Sequence, residues 1–562
     1  MKRPNNINDA QWQAVIDASE HLLITAGPGT GKTHTLTHRI CHFLSKIKSN
    51  ERMLAITFTN KASGEMRERL QGFLLENLRS VDVSTFHAFC LSCLREFAAS
   101  TNLPPNFQIA SGLDMEAVAK EIWSEVTAQK RHQRLQEISR YKSLTLKEAP
   151  AHLPVYNQEL RKRNLLDFDD ILFAAFCLFR DEQNVLKALQ SRYRYIFVDE
   201  YQDINCVQHE ILKLLVQNGI GLTAIGDPNQ AIYGFRGSDV HFFYDFRNDF
   251  PPAADRSLCE NYRSSGNLLE AARQVITPGQ TFDVPSLIAC MHAQGRLVIY
   301  QAQSEHAEAR YIVREIEKCV GGTSMLSKDS HSKNVETQGH VSFCDIAILF
   351  RTNAQRAVLE EALCQSGIPF YMAGDKPLCE EKEVVEILPD LMEIRGEPID
   401  KALDYLAQLS EKQNNALEQL IALAKESKTT SDFLDRLFLQ RENEPCSYRV
   451  EKVSLLTLHA AKGLEFPVVF MAGCEDGLLP LKREGKDVDI NEERRLFYVG
   501  MTRAKRALYL TWAAKRMCYG KAAPRAVSAF VLDIEEKLKE HEKTFVGKKK
   551  QKDSQLNLFK GF

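Results

Sequence analysis

Ala26-Gly27-Pro28-Gly29-Thr30-Gly31-Lys32-Thr33 follows the apolar run Leu22-Leu23-Ile24-Thr25. Gly27, Gly29 and Gly31 let successive backbone N–H groups turn inward around phosphate oxygens, at a helix start whose dipole favours anions. In this loop pattern Lys32 reaches the β- and γ-phosphates and the Thr33 hydroxyl ligates Mg²⁺. Ala26 stands where the pattern often has glycine. ATP and Mg²⁺ are the cofactors this chemistry requires, and the nucleotide is expected along Ala26 to His34.

Hydrolysis needs more than a cradle. The run Tyr195-Ile196-Phe197-Val198 ends in Asp199-Glu200-Tyr201-Gln202-Asp203. An acidic pair alone is more often a solvated turn. After a buried strand and downstream of a phosphate loop, Asp199 can hold Mg²⁺ through its water shell, and Glu200 can act as general base on the attacking water. The run Leu222 to Ile225 leads to Gly226-Asp227-Pro228-Asn229-Gln230, which places Gln230 to sense the γ-phosphate. Charge developing on the transferred group calls for arginines. The candidates are Arg263, in Asn261-Tyr262-Arg263-Ser264, and Arg503, in Val499-Gly500-Met501-Thr502-Arg503-Ala504. Both fall in the second half of the chain, so ATP would draw two halves together and hydrolysis would release them.

The elements that must position these groups alternate β-branched runs with amphipathic stretches. Met53 to Ile56, Asp345 to Phe350, Val453 to Leu458, Val468 to Met471 and Ala507 to Thr511 join the runs above as expected buried parallel strands. The fold class is α/β, with two tandem doubly wound parallel-sheet domains. The first spans 1–93 and 192–256, the second 257–375 and 448–538. Helical insertions without strand signals fill 94–191 and 376–447, and the second is short for a compact domain. Gly321 to His340 reads as a mobile loop, and 539–562 as a flexible basic tail.

Composition narrows the setting. A formal net charge of −2, from 72 basic and 74 acidic residues, means any phosphate-binding surface is built locally. The 14 cysteines are scattered; Cys90 and Cys93 form a lone CxxC that reads as a buried helical face in a reducing compartment. No apolar run reaches the roughly 20 residues that span a bilayer. Met1 to Asn8 is polar, unlike a secretory signal, so a cytoplasmic protein is expected.

Taken in order, the motifs resemble the UvrD/Rep/PcrA-type superfamily one DNA helicases over most of the chain. They are Asn8-Asp9-Ala10-Gln11, the phosphate loop, Thr57-Phe58-Thr59-Asn60-Lys61-Ala62, Thr85-Phe86-His87 and Asp199 to Asp203. Gly226 to Gly237, Asn261 to Ser264, Thr457 to Phe466 and Glu492 to Lys505 follow. The resemblance implies that Gln11 reads the adenine, Tyr262 stacks on it and Glu465 contacts the nucleotide from the second half. It also implies that the two parallel-sheet domains are tandem RecA-like motor domains, and 3′-to-5′ movement on single-stranded DNA or at junctions with duplex. A sequence-neutral motor needs stacking platforms. Phe58, Tyr233 and Phe235, in loops just after strands, resemble the family's base-stacking residues. Asn60, Thr85, His87 and His459 are candidate partners for the strand backbone, or relays of nucleotide state.

Two features depart from a plain helicase. The second insertion is much smaller than is usual in the family and lacks its Gly-Ile-Gly duplex-contact loop, which favours translocation over processive unwinding. A DNA-dependent ATPase that clears or loads proteins with little unwinding is the alternative. At the chain's end, Gln555-Leu556-Asn557-Leu558-Phe559 resembles the short peptide by which bacterial DNA enzymes bind the sliding clamp. Gln555 with the apolar anchors Leu556, Leu558 and Phe559 suits a preformed hydrophobic groove.

Overall fold

The apolar runs of the first half pair as a six-stranded parallel sheet in the order Val81–Thr85, Arg52–Thr57, Tyr193–Val198, Gly221–Gly226, His21–Ala26 and Ala253–Leu258. The computed structural model describes residues 3–542 apart from 74–79, 102, 105, 146–147, 281–283, 322–340, 373–377, 410–414, 441–450, 483–484, 486–487 and 519–520. The central strands are apolar along their length because helices cover both faces. Leu22, Ile24, Ala55, Phe197 and Ile225 are all buried. Parallel strands place every following loop on one edge. The segments after Ala26, Thr57, Val198 and Gly226 therefore converge there without further instruction.

The helix Lys32–Leu44 fixes the phosphate loop from behind. Its buried Arg39 donates to the carbonyls of Ala14 and Asp17 at 2.7 and 2.8 Å and to the Thr223 hydroxyl at 2.9 Å. A guanidinium buried among carbonyl oxygens ties this helix to Asp9–Ile16 and to the sheet.

The second half forms a seven-stranded parallel sheet in the order Phe370–Met372, Val453–Thr457, Ile346–Phe350, Phe466–Met471, Ala504–Ala513, Arg296–Ala302 and Glu540–Glu542. The two expected RecA-like sheets are present. The last strand corrects the expected boundary at Leu538. These residues fall in the expected flexible basic tail, yet Glu540 and Glu542 pair with Arg296 at 2.8 and 3.0 Å, and the Tyr311 hydroxyl donates to Glu542 at 2.8 Å. The remaining tail, 543–562, with Gln555 to Phe559, lies outside the described residues, as do 322–340 of the expected mobile loop.

The first insertion has its own core around Trp123, Tyr156 and Leu160. It is not wholly helical: Gln108–Ile109 pairs in parallel with Leu165–Leu166. A fully buried Lys142 is held by Asp167 and Asp170 at 2.7 and 2.6 Å, which fixes the start of the helix Phe168–Asp181. Cys90 and Cys93 are buried in the helix Phe86–Glu96.

Among the described residues of the second insertion, four α-helices stand out: Lys382–Glu393, Ile399–Leu409, Asn415–Lys425 and Thr430–Leu439. Their apolar faces, including Leu391, Leu406, Leu420 and Phe433, share one continuous core with Cys90, Leu94 and Phe107 of the first half. Arg95 and Arg395 both pair with Asp435, at 2.7 and 2.8 Å. The insertion thus docks on the half that it does not belong to in sequence.

Candidate functional site: a nucleotide cleft joined to an aromatic groove

A cleft of about 1010 Å³ separates the two sheets, and Gly27, Lys32, Glu200, Gln230, Arg263 and Arg503 are among the residues that line it. The loop glycines are required by geometry. Gly29 and Gly31 have φ of 68° and 82°, where a side chain is strained. A Cβ on Gly29 would also lie 2.6 Å from that of Arg263, and one on Gly31 would lie 2.8 Å from the Gln11 amide.

Gln11 is buried, donates to the Thr30 carbonyl at 2.9 Å and accepts from the Asn8 backbone at 3.1 Å. Tyr262 is 47% exposed, and its hydroxyl accepts from Asn8 at 2.9 Å and donates to Glu260 at 2.6 Å. The Thr30 hydroxyl donates to the Gly27 carbonyl at 2.8 Å, stiffening the loop. His34 lines the cleft beyond Thr33, with its ring 4.3 Å from that of His38.

The acidic pair is asymmetric. Asp199 is buried and one of its oxygens accepts the Glu200 N–H at 2.9 Å. Burial and the neighbouring Glu200 charge push its carboxyl up, against the pull of Lys32. Burial works on Glu200 in the same sense, but Lys32 and Lys462 outweigh it and hold this carboxyl below its ordinary range. Lys32 sits 3.8 Å from Glu200, and Gln202 donates to it at 2.6 Å. Glu200 itself has φ of 51°, a left-handed conformation rare for glutamate that turns its side chain into the cleft. The pair is thus split between a carboxylate held ionised and a buried carboxyl whose charge is disfavoured until a cation offsets it. Among the described residues Asp199 makes no ion pair, so its buried charge suits a cation, and the Thr33 hydroxyl lines the same cleft.

The second half reaches across through named contacts. Arg503 is buried, donates to the Leu464 carbonyl at 3.0 Å and extends to the Gln230 side-chain oxygen at 3.3 Å. Gln230 is oriented by its own donation to Asp227 at 2.6 Å. Arg263 pairs with Glu465 at 2.6 Å, and Lys505 pairs with Glu465 at 2.7 Å. Glu465, the expected nucleotide contact, lines the cleft, and its carboxylate holds two cations of its own half.

Sequence reading assigned no role to three residues that the geometry puts at the centre. Asn261 donates to the Pro28 carbonyl at 2.6 Å, and the Tyr262 N–H donates to Gly29 at 2.9 Å, so the second half touches the phosphate loop directly. Gln202 accepts the Asp227 N–H at 3.0 Å while donating to Glu200, joining two strand ends. Lys462 donates to the Gln230 carbonyl at 2.7 Å and pairs with buried Asp203. All three stand inside the quoted motifs; only their partners were hidden.

The candidate strand-contacting residues gather beside this cleft. A smaller cavity of about 150 Å³ is lined by Phe58, Asn60, Thr85, His87 and Tyr233, with Arg236. Phe58 stacks on Tyr233 with centroids 4.8 Å apart and planes 24° off parallel. Tyr233 also lies 6.1 Å from Phe235 and 6.4 Å from His459, and Lys462 sits 5.0 Å over its ring. Phe235 is 65% exposed whereas Tyr233 is only 5% exposed, so the two expected platforms differ. Phe235 offers a ring to solvent; Tyr233 is the packed hub behind it. Thr85 caps the helix Phe86–Glu96 by accepting the Ala88 N–H at 3.3 Å, leaving its hydroxyl proton to donate. His87 packs on Phe168 at 3.9 Å. Burial and the cations Arg351, Arg236 and Lys462 push His459 down to about 3, so its ring is neutral at physiological pH.

A phosphate loop at the carboxyl edge of one parallel sheet, faced by arginines from a second, defines a two-domain nucleotide-driven motor. The chain belongs to the UvrD/Rep helicase family: residues 7–251 match the UvrD/REP helicase N-terminal domain, and 257–410 with 397–515 match the UvrD-like helicase C-terminal domain. It is 30% identical to the ATP-dependent DNA helicase PcrA of Leuconostoc citreum, over 95% of this chain and 86% of that protein. It is 31% identical to the PcrA helicases of Staphylococcus aureus (strain MRSA252) and Staphylococcus epidermidis, over 96% and 95% of this chain and 87% of each relative. These alignments run over 659, 654 and 649 positions, more than the 562 residues here, so each relative has stretches that this chain lacks.

Proposed function

We propose that this ATP-hydrolysing DNA helicase is a motor that steps along single-stranded DNA, 3′ to 5′, and opens short duplexes ahead of it. The observation that carries this reading is a continuous path from nucleotide to aromatic groove. Gln230 meets Arg503 through its side chain and Lys462 through its carbonyl, and Lys462 lies over the Tyr233 ring. A phosphate that repositions Gln230 and Arg503 must therefore move the aromatic cluster.

In the reaction, Lys32 and the loop N–H groups hold the β- and γ-phosphates, and Glu200 takes the proton of the attacking water. Arg263 and Arg503 answer the charge that develops on the transferred group. Thr33 and Asp199 would hold Mg²⁺, which neutralises phosphate charge when bound. Phe235 and the groove behind it grip the bases by stacking, without reading sequence. The 3′-to-5′ sense rests on family resemblance.

The alternative, a DNA-dependent ATPase that clears or loads proteins with little unwinding, draws support from the small second insertion docked through Asp435. Strand separation on 3′-tailed and 5′-tailed duplexes tests both readings. Opening of the 3′-tailed substrate alone supports the helicase reading; ATP turnover on both without opening supports the alternative. A cytoplasmic role in DNA repair, replication or recombination fits this activity. The peptide Gln555, Leu556, Leu558 and Phe559 is proposed to dock on the bacterial sliding clamp, raising the motor's local concentration at DNA being copied. Equal clamp binding by the full chain and by one ending at Ser554 removes that proposal.

A further inference from the structure

Phe235 sits in a tight turn, Gly234–Arg236, and its exposed ring rests only on Tyr233, Arg236 and, from the second half, His459 among the described residues. The turn is gripped from across the cleft. The Gly234 N–H donates to the Glu492 carboxylate at 2.9 Å, and a Cβ on residue 234 would lie 2.8 Å from that carboxylate. Arg495 donates to the Ala231 carbonyl at 2.7 Å. Both grips come from one helix, Ile490–Met501, whose far end leads directly into Arg503 and its contact with Gln230. Residues 231 and 234 of the first half are thus held by this helix of the second, and residue 230 by Arg503 just beyond its end.

A 12-residue helix is about 18 Å long and does not stretch. Any shift of Arg503 towards or away from the γ-phosphate is carried along it to Glu492, and so to the backbone beneath Phe235. Neither Glu492 nor Arg495 touches the nucleotide cleft or the aromatic groove. We propose that Glu492 and Arg495 are positioning residues through which the nucleotide state sets the grip on the DNA strand. This rests on the reading of Phe235 as a strand contact. Coupling of this kind is a ratio: the affinity for single-stranded DNA with an ATP analogue bound, divided by that without it.

The test measures that ratio in the full chain by titrating a fluorescent oligothymidylate, with and without a non-hydrolysable ATP analogue and Mg²⁺. Two linked sites typically show a ratio of about 5- to 150-fold, in either direction. Glu492→Ala and Arg495→Ala should each bring the ratio towards one, while Glu492→Gln, whose carboxamide oxygen still accepts the Gly234 N–H, should restore it. Linkage requires the analogue's affinity, measured with and without DNA, to change by the same factor. A purely structural role would lower both affinities and leave the ratio as in the parent. That result, or failure of Glu492→Gln to restore the ratio while Arg495→Ala retains it, overturns the proposal. Phe235→Ala, run beside these, separates the two failures. Unchanged DNA affinity in that variant removes the stacking reading itself, whereas weakened affinity with intact coupling in Glu492→Ala removes only this inference.

Discussion

The Arg263 guanidinium lies 2.6 Å from the Glu465 carboxylate, whose other oxygen is 2.7 Å from Lys505. The arginine nearest the phosphate loop is thus aimed by a carboxylate of its own half, whereas Arg503 is aimed by backbone carbonyls and is fully buried. The two arginines should respond differently to loss of their supports. Removing either guanidinium should lower kcat by about 10² or more, since each answers transition-state charge. Glu465→Gln should cost less, because the guanidinium remains and only its aim is relaxed. Steady-state ATP turnover of the three variants checks the ranking; a Glu465→Gln loss as large as that of Arg503→Ala contradicts it.

Glu200→Gln should retain ATP affinity and lose most turnover, by about 10²-fold or more, because shape survives while the base is lost. Equilibrium binding of a fluorescent ATP analogue, measured beside phosphate release, separates the two. Turnover within about threefold of the parent would refute the assignment of Glu200, given what a general base contributes.

Burial divides the aromatic residues into two predictions. Phe235→Ala should weaken single-strand affinity by about 1–3 kcal/mol with the melting temperature unchanged. Tyr233→Ala should also unfold more easily, because it removes a packed ring at a cost of about 3–5 kcal/mol. Oligothymidylate titration with thermal unfolding of each variant decides; a large fall in melting temperature for Phe235→Ala would show that this ring is core.

Much of this site is legible in the sequence for a physical reason. Parallel strands buried on both faces read as continuous apolar runs, and the loops that follow them share one edge. Runs that end at Thr25, Val198 and Ile225 are enough to bring the phosphate loop, the acidic pair and Gln230 together. Direction and distant docking were not legible. An aromatic after a strand does not declare which way its ring faces, so Tyr233 and Phe235 look alike until burial separates them. Arg95 and Asp435 meet over a separation of 340 residues, and nothing local in either helix foretells it. Glu540–Glu542 looks like part of a flexible tail because its partner, Arg296, lies 244 residues away. Glu492 and Arg495 resemble ordinary surface charges on a helix until Gly234 and Ala231 appear opposite them.

His459 supplies a pH dependence with a fixed sign. Its folded value is pushed down to about 3 from an ordinary 6.5 by burial and three cations. The unfolded chain therefore binds the proton that the folded one refuses, and this stabilisation is full above pH 6.5 and is lost as pH falls towards 3. Between pH 7 and pH 5 the loss should be at most about 2 kcal/mol. Other buried groups, His209 among them, titrate in both proteins, so urea unfolding at both values should show a loss larger in the parent than in His459→Asn by up to that amount. Equal losses in both would mean that His459 is protonated in the fold.

The central claim is that strand binding and ATP hydrolysis are one coupled process. Its most direct test is steady-state ATP turnover, at saturating Mg-ATP, without DNA and with single-stranded oligothymidylates of increasing length. A motor that steps along its track should be strongly stimulated by DNA, and apparent turnover should rise with length before levelling, because longer strands allow more steps per binding event. Turnover that is the same with and without single-stranded DNA would contradict the account, whatever the affinity of the chain for either ligand.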